Sequence, residues 1–205
     1  EARRSQSYDP PSKRSGIPPP PEPRGEPEEA FATAPCKVSG DYRINAEHHN
    51  PMELFGTTCV YEGDDRLTVY EKTQGSQNTQ GYIASVFGLK SDNVRVINHY
   101  VGGAFGSALR PQPQLFFAVM ASLELKRPVR VVFTRAQMFS IGYRPDSYHA
   151  ISLASDNDGC LVSIMHDAVA STSIYEDYQE ALANWSGMMY HCDNVKLSYA
   201  LAKLN

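Results

Sequence analysis

The stretch best suited to chemistry is Val101-Gly102-Gly103-Ala104-Phe105-Gly106-Ser107, because it lies between a strand pattern at residues 93–101 and an apolar helix pattern at 114–125. Glycines at such a junction let the main chain approach a ligand closely, and successive N–H groups near a helix start form a concavity that favours anions. The same spacing also suits a tight turn with positive φ, and the residues alone leave the two readings even. Two phosphate-binding motifs fit poorly. A P-loop requires Lys-Ser/Thr after its last glycine, where this chain has Ser107-Ala108-Leu109. A dinucleotide fingerprint requires G-x-G-x-x-G and an acid at the end of the next strand, where this chain has G-G-x-x-G and then Thr134-Arg135. Arg135 facing a 2′-phosphate keeps a small nucleotide-binding domain as an alternative.

A second cluster, Glu47-His48-His49-Asn50-Pro51-Met52-Glu53, places two acids and two imidazoles within seven residues just after a strand pattern. Such density suits an active site, and equally a polar strand end with one hydrogen-bonded histidine. In an extended chain His48 and His49 face opposite ways and do not ligate one metal together. His99, His149, His166 and His191 read as isolated core or surface residues. Thr73-Gln74-Gly75-Ser76, at a strand-to-helix junction, reads mainly as a helix cap with Ser76 as the capping residue. Cys36, Cys59, Cys160 and Cys192 form no C-x-x-C pair and no cluster of zinc spacing, and are expected as buried free thiols. Asn184-Trp185-Ser186 matches a glycosylation sequon and reads as chance inside an expected helix.

The elements that must position these residues follow from pattern. The 205 residues are 41% hydrophobic and suffice for one sizeable core or two small ones. A formal charge of −4 supplies no basic field for a phosphate backbone, which excludes a general nucleic-acid binder. The longest apolar stretch, at 115–125, is shorter than the roughly 18–20 residues of a bilayer span. Nine of the fourteen prolines lie between Pro10 and Pro35, so residues 1–35 read as an extended Pro-rich arm or linker, closed by a short helical start at Glu26-Pro27-Glu28-Glu29-Ala30-Phe31. Residues 36–205 read as an α+β domain, a mixed sheet with packed helices. Strands are expected at 66–70, 93–101 and 128–134, helices at 76–87, 114–125 and 175–185, and a hairpin turns at Asp158-Gly159. The opening Glu1-Ala2-Arg3-Arg4 has neither Met nor an apolar signal core, as expected of a piece of a longer chain, and the compartment stays open between cytoplasm and periplasm.

Taken together and in order, these stretches resemble the molybdenum-binding large subunit of the xanthine dehydrogenase and aldehyde oxidase family. The resemblance is carried by His48-His49-Asn50-Pro51-Met52-Glu53, by Arg66-Leu67-Thr68-Val69-Tyr70 with Thr73-Gln74, by Asn93-Val94-Arg95-Val96 with the glycine stretch, and by Arg127-Pro128-Val129-Arg130 with Thr134-Arg135. Gly142-Tyr143-Arg144-Pro145 and Tyr190-His191-Cys192-Asp193-Asn194 extend it, from about residue 25 onward. It looks closest to the bacterial three-subunit aldehyde oxidoreductase branch.

The resemblance implies part of a molybdopterin-binding domain and a water-dependent oxidation of an aldehyde, or an aromatic heterocycle, to the acid or hydroxylated product. It implies a molybdenum-pterin cofactor, in the cytosine dinucleotide form, with 2Fe-2S clusters and FAD on partner subunits. By the same carry-over Gly102, Gly103, Ala104, Phe105 and Gly106 line the cofactor, and Phe105 and Leu109 face the substrate. Glu47 falls where the family has a glutamine that donates to an oxo ligand, which a carboxyl does only when protonated. Ala104 stands for a frequent glycine and Ala108 for a frequent lysine. The family's catalytic glutamate lies beyond Asn205, so the chain alone is expected to be inactive, with a catalytically silent module of the same fold as the alternative.

Overall fold

The computed structural model describes residues 6–10 and 17–204. The chain divides into two compact units, one of the described residues in Glu1–Glu47 and Pro145–Asn205, the other spanning His48–Arg144.

In His48–Arg144, strands β3 (Gly56–Tyr61), β4 (Leu67–Glu71), β5 (Val94–Ile97) and β6 (Val129–Val132) form a sheet in the order β5-β4-β3-β6. β3 runs antiparallel to both β4 and β6, whereas β4 and β5 are parallel. A parallel pair needs a crossover, and helix α2 (Ser76–Phe87) supplies it. Helix α3 (Pro113–Leu125) packs beside it, so that Ile83, Leu115, Ala118 and Val119 meet Cys59, Leu67, Val69 and Val94 in one core. Gly88, at φ +65°, ends α2 in the left-handed conformation, as its sequence predicts. The N-cap is Gly75 rather than Ser76, because the Thr73 hydroxyl already accepts the Gly75 N–H at 3.0 Å and sets the turn one residue earlier. The strand expected at 93–101 is only four residues long. It follows a 3₁₀ turn at Ser91–Asn93 and stops where the Asn98 side chain donates to the Thr73 carbonyl.

The other unit is a five-stranded sheet in the order β1-β9-β8-β7-β2, made from β1 (Ser7–Tyr8), β2 (Cys36–Ile44), β7 (Ser147–Ser155), β8 (Leu161–Thr172) and β9 (Val195–Lys203). The expected hairpin is β7–β8, and its turn is fixed by Asp156 Oδ1, which accepts the N–H groups of Asp158 and Cys160. β8 and β9 are parallel and the other pairs antiparallel. Both sheets are therefore mixed, and with five α-helices among the described residues the α+β class holds. Of the Pro-rich segment, Ser7–Tyr8 pairs with β9, Arg24 bridges Val195, and helix α1 (Pro27–Thr33) lies on β8, where Ser163 Oγ donates to the Pro27 carbonyl at 2.8 Å. Its described part thus runs along the chain's own sheet.

Two expectations fail here. Residues 175–185 are not helical, and only α5 (Ser186–Met189) forms beside them. Side chains compete for the backbone there: Thr172 Oγ1 accepts the Tyr178 N–H and donates to the Glu176 carbonyl, and Tyr199 Oη accepts the Glu180 N–H. The sequon asparagine, Asn184, lies in a turn rather than a helix and is buried with its amide donating to the Pro18 and Pro19 carbonyls, in keeping with a chance match. Of the four free cysteines only Cys59 and Cys192 are buried, since Cys36 begins an edge strand and Cys160 lies in the hairpin turn.

His149 and His166 are not isolated either. They form a buried line in which Ser147 Oγ meets His149 Nε2 at 2.9 Å, His149 Nδ1 meets His166 Nε2 at 2.9 Å, and His166 Nδ1 meets Ser186 Oγ at 2.7 Å. Facing ring nitrogens need one donor and one acceptor, so charging both rings would set two donors against each other. Burial, and then His149, push the His166 pKa below its ordinary value, with Asp167 opposing. Because folding favours the neutral ring, its stabilising effect is complete above about pH 6.5 and is lost as pH falls through the lower folded-state pKa. Urea midpoints measured from pH 7.5 down to 5 are expected to fall in the wild type, and to fall less in His166→Gln.

Candidate functional site

The glycine stretch leaves β5, passes through residues 98–101, and reaches α3 by a loop that reverses direction repeatedly. Gly103, Phe105 and Gly106 have φ of +88°, +55° and +96°. The left-handed conformation of Phe105 is unusual for a bulky residue, and it presents the ring to solvent at 73% exposure. Ala104 and Ala108 turn the other way and are buried with Phe55 and Met138. Apolar methyls thus seat the loop from below.

The main-chain donors of the loop divide into two sets. Gly102 N–H donates to Glu53 Oε2 at 2.7 Å, while the Gly106 and Ala108 N–H groups share Gln74 Oε1 at 3.2 and 3.3 Å. Ser107 N–H closes a turn on the Ala104 carbonyl at 3.0 Å, and Leu109 N–H closes the next on Gly106 at 3.2 Å. Between these, the amides of Gly103, Ala104 and Phe105 have no hydrogen-bond partner among the described residues.

Glu53 is itself held in place. Its N–H donates to the Gly102 carbonyl at 2.9 Å, and its own carbonyl accepts Lys72 Nζ at 2.8 Å. Lys72 is only 4% exposed and lies over the Phe55 ring at 4.6 Å. Arg135, from helix α4 (Arg135–Met138), donates to Asn50 Oδ1, to the Pro51 carbonyl and to the Met52 carbonyl. Its guanidinium is therefore engaged with the histidine-rich segment, which removes the residue on which a nucleotide 2′-phosphate site rested. His48 stacks beside Phe139 and Tyr143, with ring centroids at 5.2 and 6.0 Å, and His49 Nε2 comes 3.9 Å from where a Gly106 Cβ would stand. The two imidazoles have separate surroundings, as their alternation predicts.

Beneath this lies a buried acid that the sequence did not single out. Glu71 accepts from Thr57 Oγ1 and, at 3.2 Å, from Gln114 Nε2. Burial raises its pKa to about 8, against the opposing hydrogen bonds from Thr57 and Gln114, so Glu71 carries a proton at neutral pH. Lys72, next in sequence, is drawn below its ordinary pKa by burial and pushed back by the Glu53 carboxylate.

The predicted site residues 102–106 and 109 therefore share one loop, with Leu109 exposed at its end. Glu47 is exposed and belongs to the other unit. By sequence Gln74 belongs to a helix cap and Glu53 to a polar strand end; their reach to loop amides 32 and 49 residues away, respectively, has no local signature. Among the described residues no group of three or more His, Cys, Asp or Glu is placed to hold a metal directly, and no helix is long and apolar enough to cross a membrane.

The pattern of the molybdopterin cofactor-binding domain matches residues 14–205. The chain belongs to that family. It is 27% identical over 140 residues to the aldehyde oxidoreductase molybdenum-binding subunit PaoC of Escherichia coli O157:H7, covering 68% of this chain and 19% of that protein. Against aldehyde oxidase 4 of Arabidopsis thaliana it is 32% identical over 147 residues, covering 70% of this chain and 11% of the relative. The chain thus spans less than a fifth of the length of these relatives. The fold is similar to that of quinoline 2-oxidoreductase from Pseudomonas putida 86, with a TM-score of 0.77 at 21% identity over 88% of this chain and 24% of that one.

Two predictions follow from the packing. A Cβ on Gly102 would stand 2.7 Å from Glu53 Cβ, whereas one on Gly142 meets nothing within 4 Å. Gly102→Ala should therefore cost about 1–3 kcal/mol in urea denaturation, with Gly142→Ala within about 0.5 kcal/mol of wild type. For Glu71, a raised folded-state pKa gives a contribution that is complete below about pH 4.5 and lost as pH rises through about 8. Glu71→Gln mimics the protonated acid, so its stability relative to wild type should grow between pH 5.5 and 8.5, by on the order of 4 kcal/mol at most.

Proposed function

We propose that the chain is the glycine-loop portion of a molybdenum hydroxylase that oxidises an aldehyde or aromatic heterocycle to the carboxylic acid or hydroxylated product. The reading rests on family membership over residues 14–205 and on one observation, the three neighbouring amides of Gly103, Ala104 and Phe105 that have no partner among the described residues. The loop suits a molybdopterin: its φ-positive glycines leave the backbone open, no Cβ narrows the approach at Gly103 or Gly106, and a row of N–H donors suits oxygen ligands.

When bound, the cofactor would supply a redox-active metal centre that accepts two electrons, while substrate and the water that provides the incoming oxygen together release two protons. This chain's residues do the rest. The Gly103, Ala104 and Phe105 amides would donate to oxygen on the bound group and so orient it. The exposed Phe105 ring, with Leu109 exposed beyond it, offers apolar surface to a flat substrate and excludes water from its face. Ala108 is buried beside Phe55 and Met138, where it contributes apolar contact and no charge. Glu47 acts as a hydrogen-bond donor only in its protonated form. The cytosine dinucleotide form of the cofactor, an iron–sulfur subunit, an FAD subunit and the remainder of the large subunit complete the proposal.

Molybdenum analysis of the native complex by plasma mass spectrometry is expected to give about one metal per chain. Gly103→Ala, which puts an L side chain at φ +88°, is expected to lower that ratio. A native complex without molybdenum would overturn the assignment.

A further inference from the structure

Three loop amides have no partner among the described residues, while three others are held by side chains that come from two distant points in the chain. Glu53 Oε2 takes the Gly102 N–H at the entry, and Gln74 Oε1 takes both the Gly106 and Ala108 N–H groups at the exit. Neither contact is needed to fill the core: Gln74 is exposed and Glu53 only half-buried. A side chain placed for packing would be buried, and one placed for solubility would not bridge two amides with a single oxygen. Gly102 has no side chain where one would collide with Glu53, so the entry contact is also sterically reserved.

We propose that Gln74 and Glu53 are positioning residues for cofactor binding, which hold the two ends of the glycine loop so that the Gly103, Ala104 and Phe105 amides remain together as donors. The inference rests on the molybdopterin reading for what those amides meet, while the holding itself concerns this chain alone. Gln74 serves through an acceptor oxygen and two neutral hydrogen bonds. Removing it frees the Gly106 and Ala108 amides to compete with the central three for the same ligand oxygens, and lets a loop with three left-handed residues relax. Glu53 acts the same way at the other end, with its carbonyl fixed by Lys72.

The test compares wild type, Gln74→Leu, Gln74→Glu and Glu53→Gln in the full chain, first without cofactor and then within the complex produced in a host that makes it. Gln74→Leu removes the acceptor at nearly constant size, Gln74→Glu restores an acceptor oxygen, and Glu53→Gln keeps one while removing the charge. Amide hydrogen exchange should be roughly tenfold faster at Gly106 and Ala108 in Gln74→Leu and near wild type in Gln74→Glu. Molybdenum per chain should fall several-fold in Gln74→Leu and be at least partly restored in Gln74→Glu. Unchanged exchange at Gly106 and Ala108 in Gln74→Leu would overturn the proposal, and so would faster exchange with full molybdenum content. Faster exchange throughout α2 and β4 would mark general unfolding, and would overturn it if Gln74→Glu behaves alike. A wild-type complex without molybdenum would sink the functional reading separately, because the exchange rates alone then decide whether the loop is held.

Discussion

The site depends on two buried or engaged cations fixing one short irregular segment. Residues 50–53 form neither helix nor strand, so their carbonyls have no ladder to join. Arg135 takes the Pro51 and Met52 carbonyls and Lys72 takes that of Glu53. Charged donors make stronger hydrogen bonds than amides do, and here they replace secondary structure as the source of order. Once the segment is fixed, Glu53 can reach the glycine loop, and that loop's free amides have a defined place. Removing Arg135 or Lys72 would leave the Pro51 and Met52 carbonyls, or that of Glu53, without these donors and would loosen Glu53.

The protonation of Glu71 belongs to the same arrangement. Glu71 and Lys72 are neighbours at the end of β4, and an ionised Glu71 would compete with Glu53 for the one nearby lysine. Burial keeps Glu71 neutral, and its hydrogen bonds to Thr57 and Gln114 need no counter-charge. The positive charge of Lys72 then remains directed at Glu53. A neutral acid beside a buried lysine is thus a way of assigning one cation to one partner.

Much of this was legible in the sequence wherever the signal is local. The 3.6-residue periodicity of 76–87, with Gly88 after it, marks α2; the Asp158-Gly159 pair marks the β7–β8 hairpin; and the glycine stretch marks the loop. What was not legible is carried by long-range polar contacts. The helix pattern of 175–185 is defeated by hydroxyls from Thr172 and Tyr199, and the strand pattern of 98–101 by an asparagine amide reaching Thr73. His149 and His166 look solitary because diagonal neighbours on adjacent strands lie seventeen residues apart in sequence. The roles of Glu53 and Gln74 were hidden for the same reason. A side chain that accepts from a backbone N–H far along the chain leaves no periodicity to read.

The two alanines of the loop show how a change of residue type follows from a two-sided structure. Upward, the loop offers backbone donors and an exposed aromatic ring; downward, it must bury something against Phe55 and Met138. Glycine at 104 would leave that underside short of apolar area, and a lysine at 108 would have to carry its charge through a position that is 3% exposed. Methyl groups at both positions anchor the loop by burial, which is undirected. Glu53 and Gln74 anchor it by hydrogen bonds, which are directed. The first kind of contact fixes how deep the loop lies and the second fixes which way its amides turn, and a backbone that presents three adjacent donors requires both.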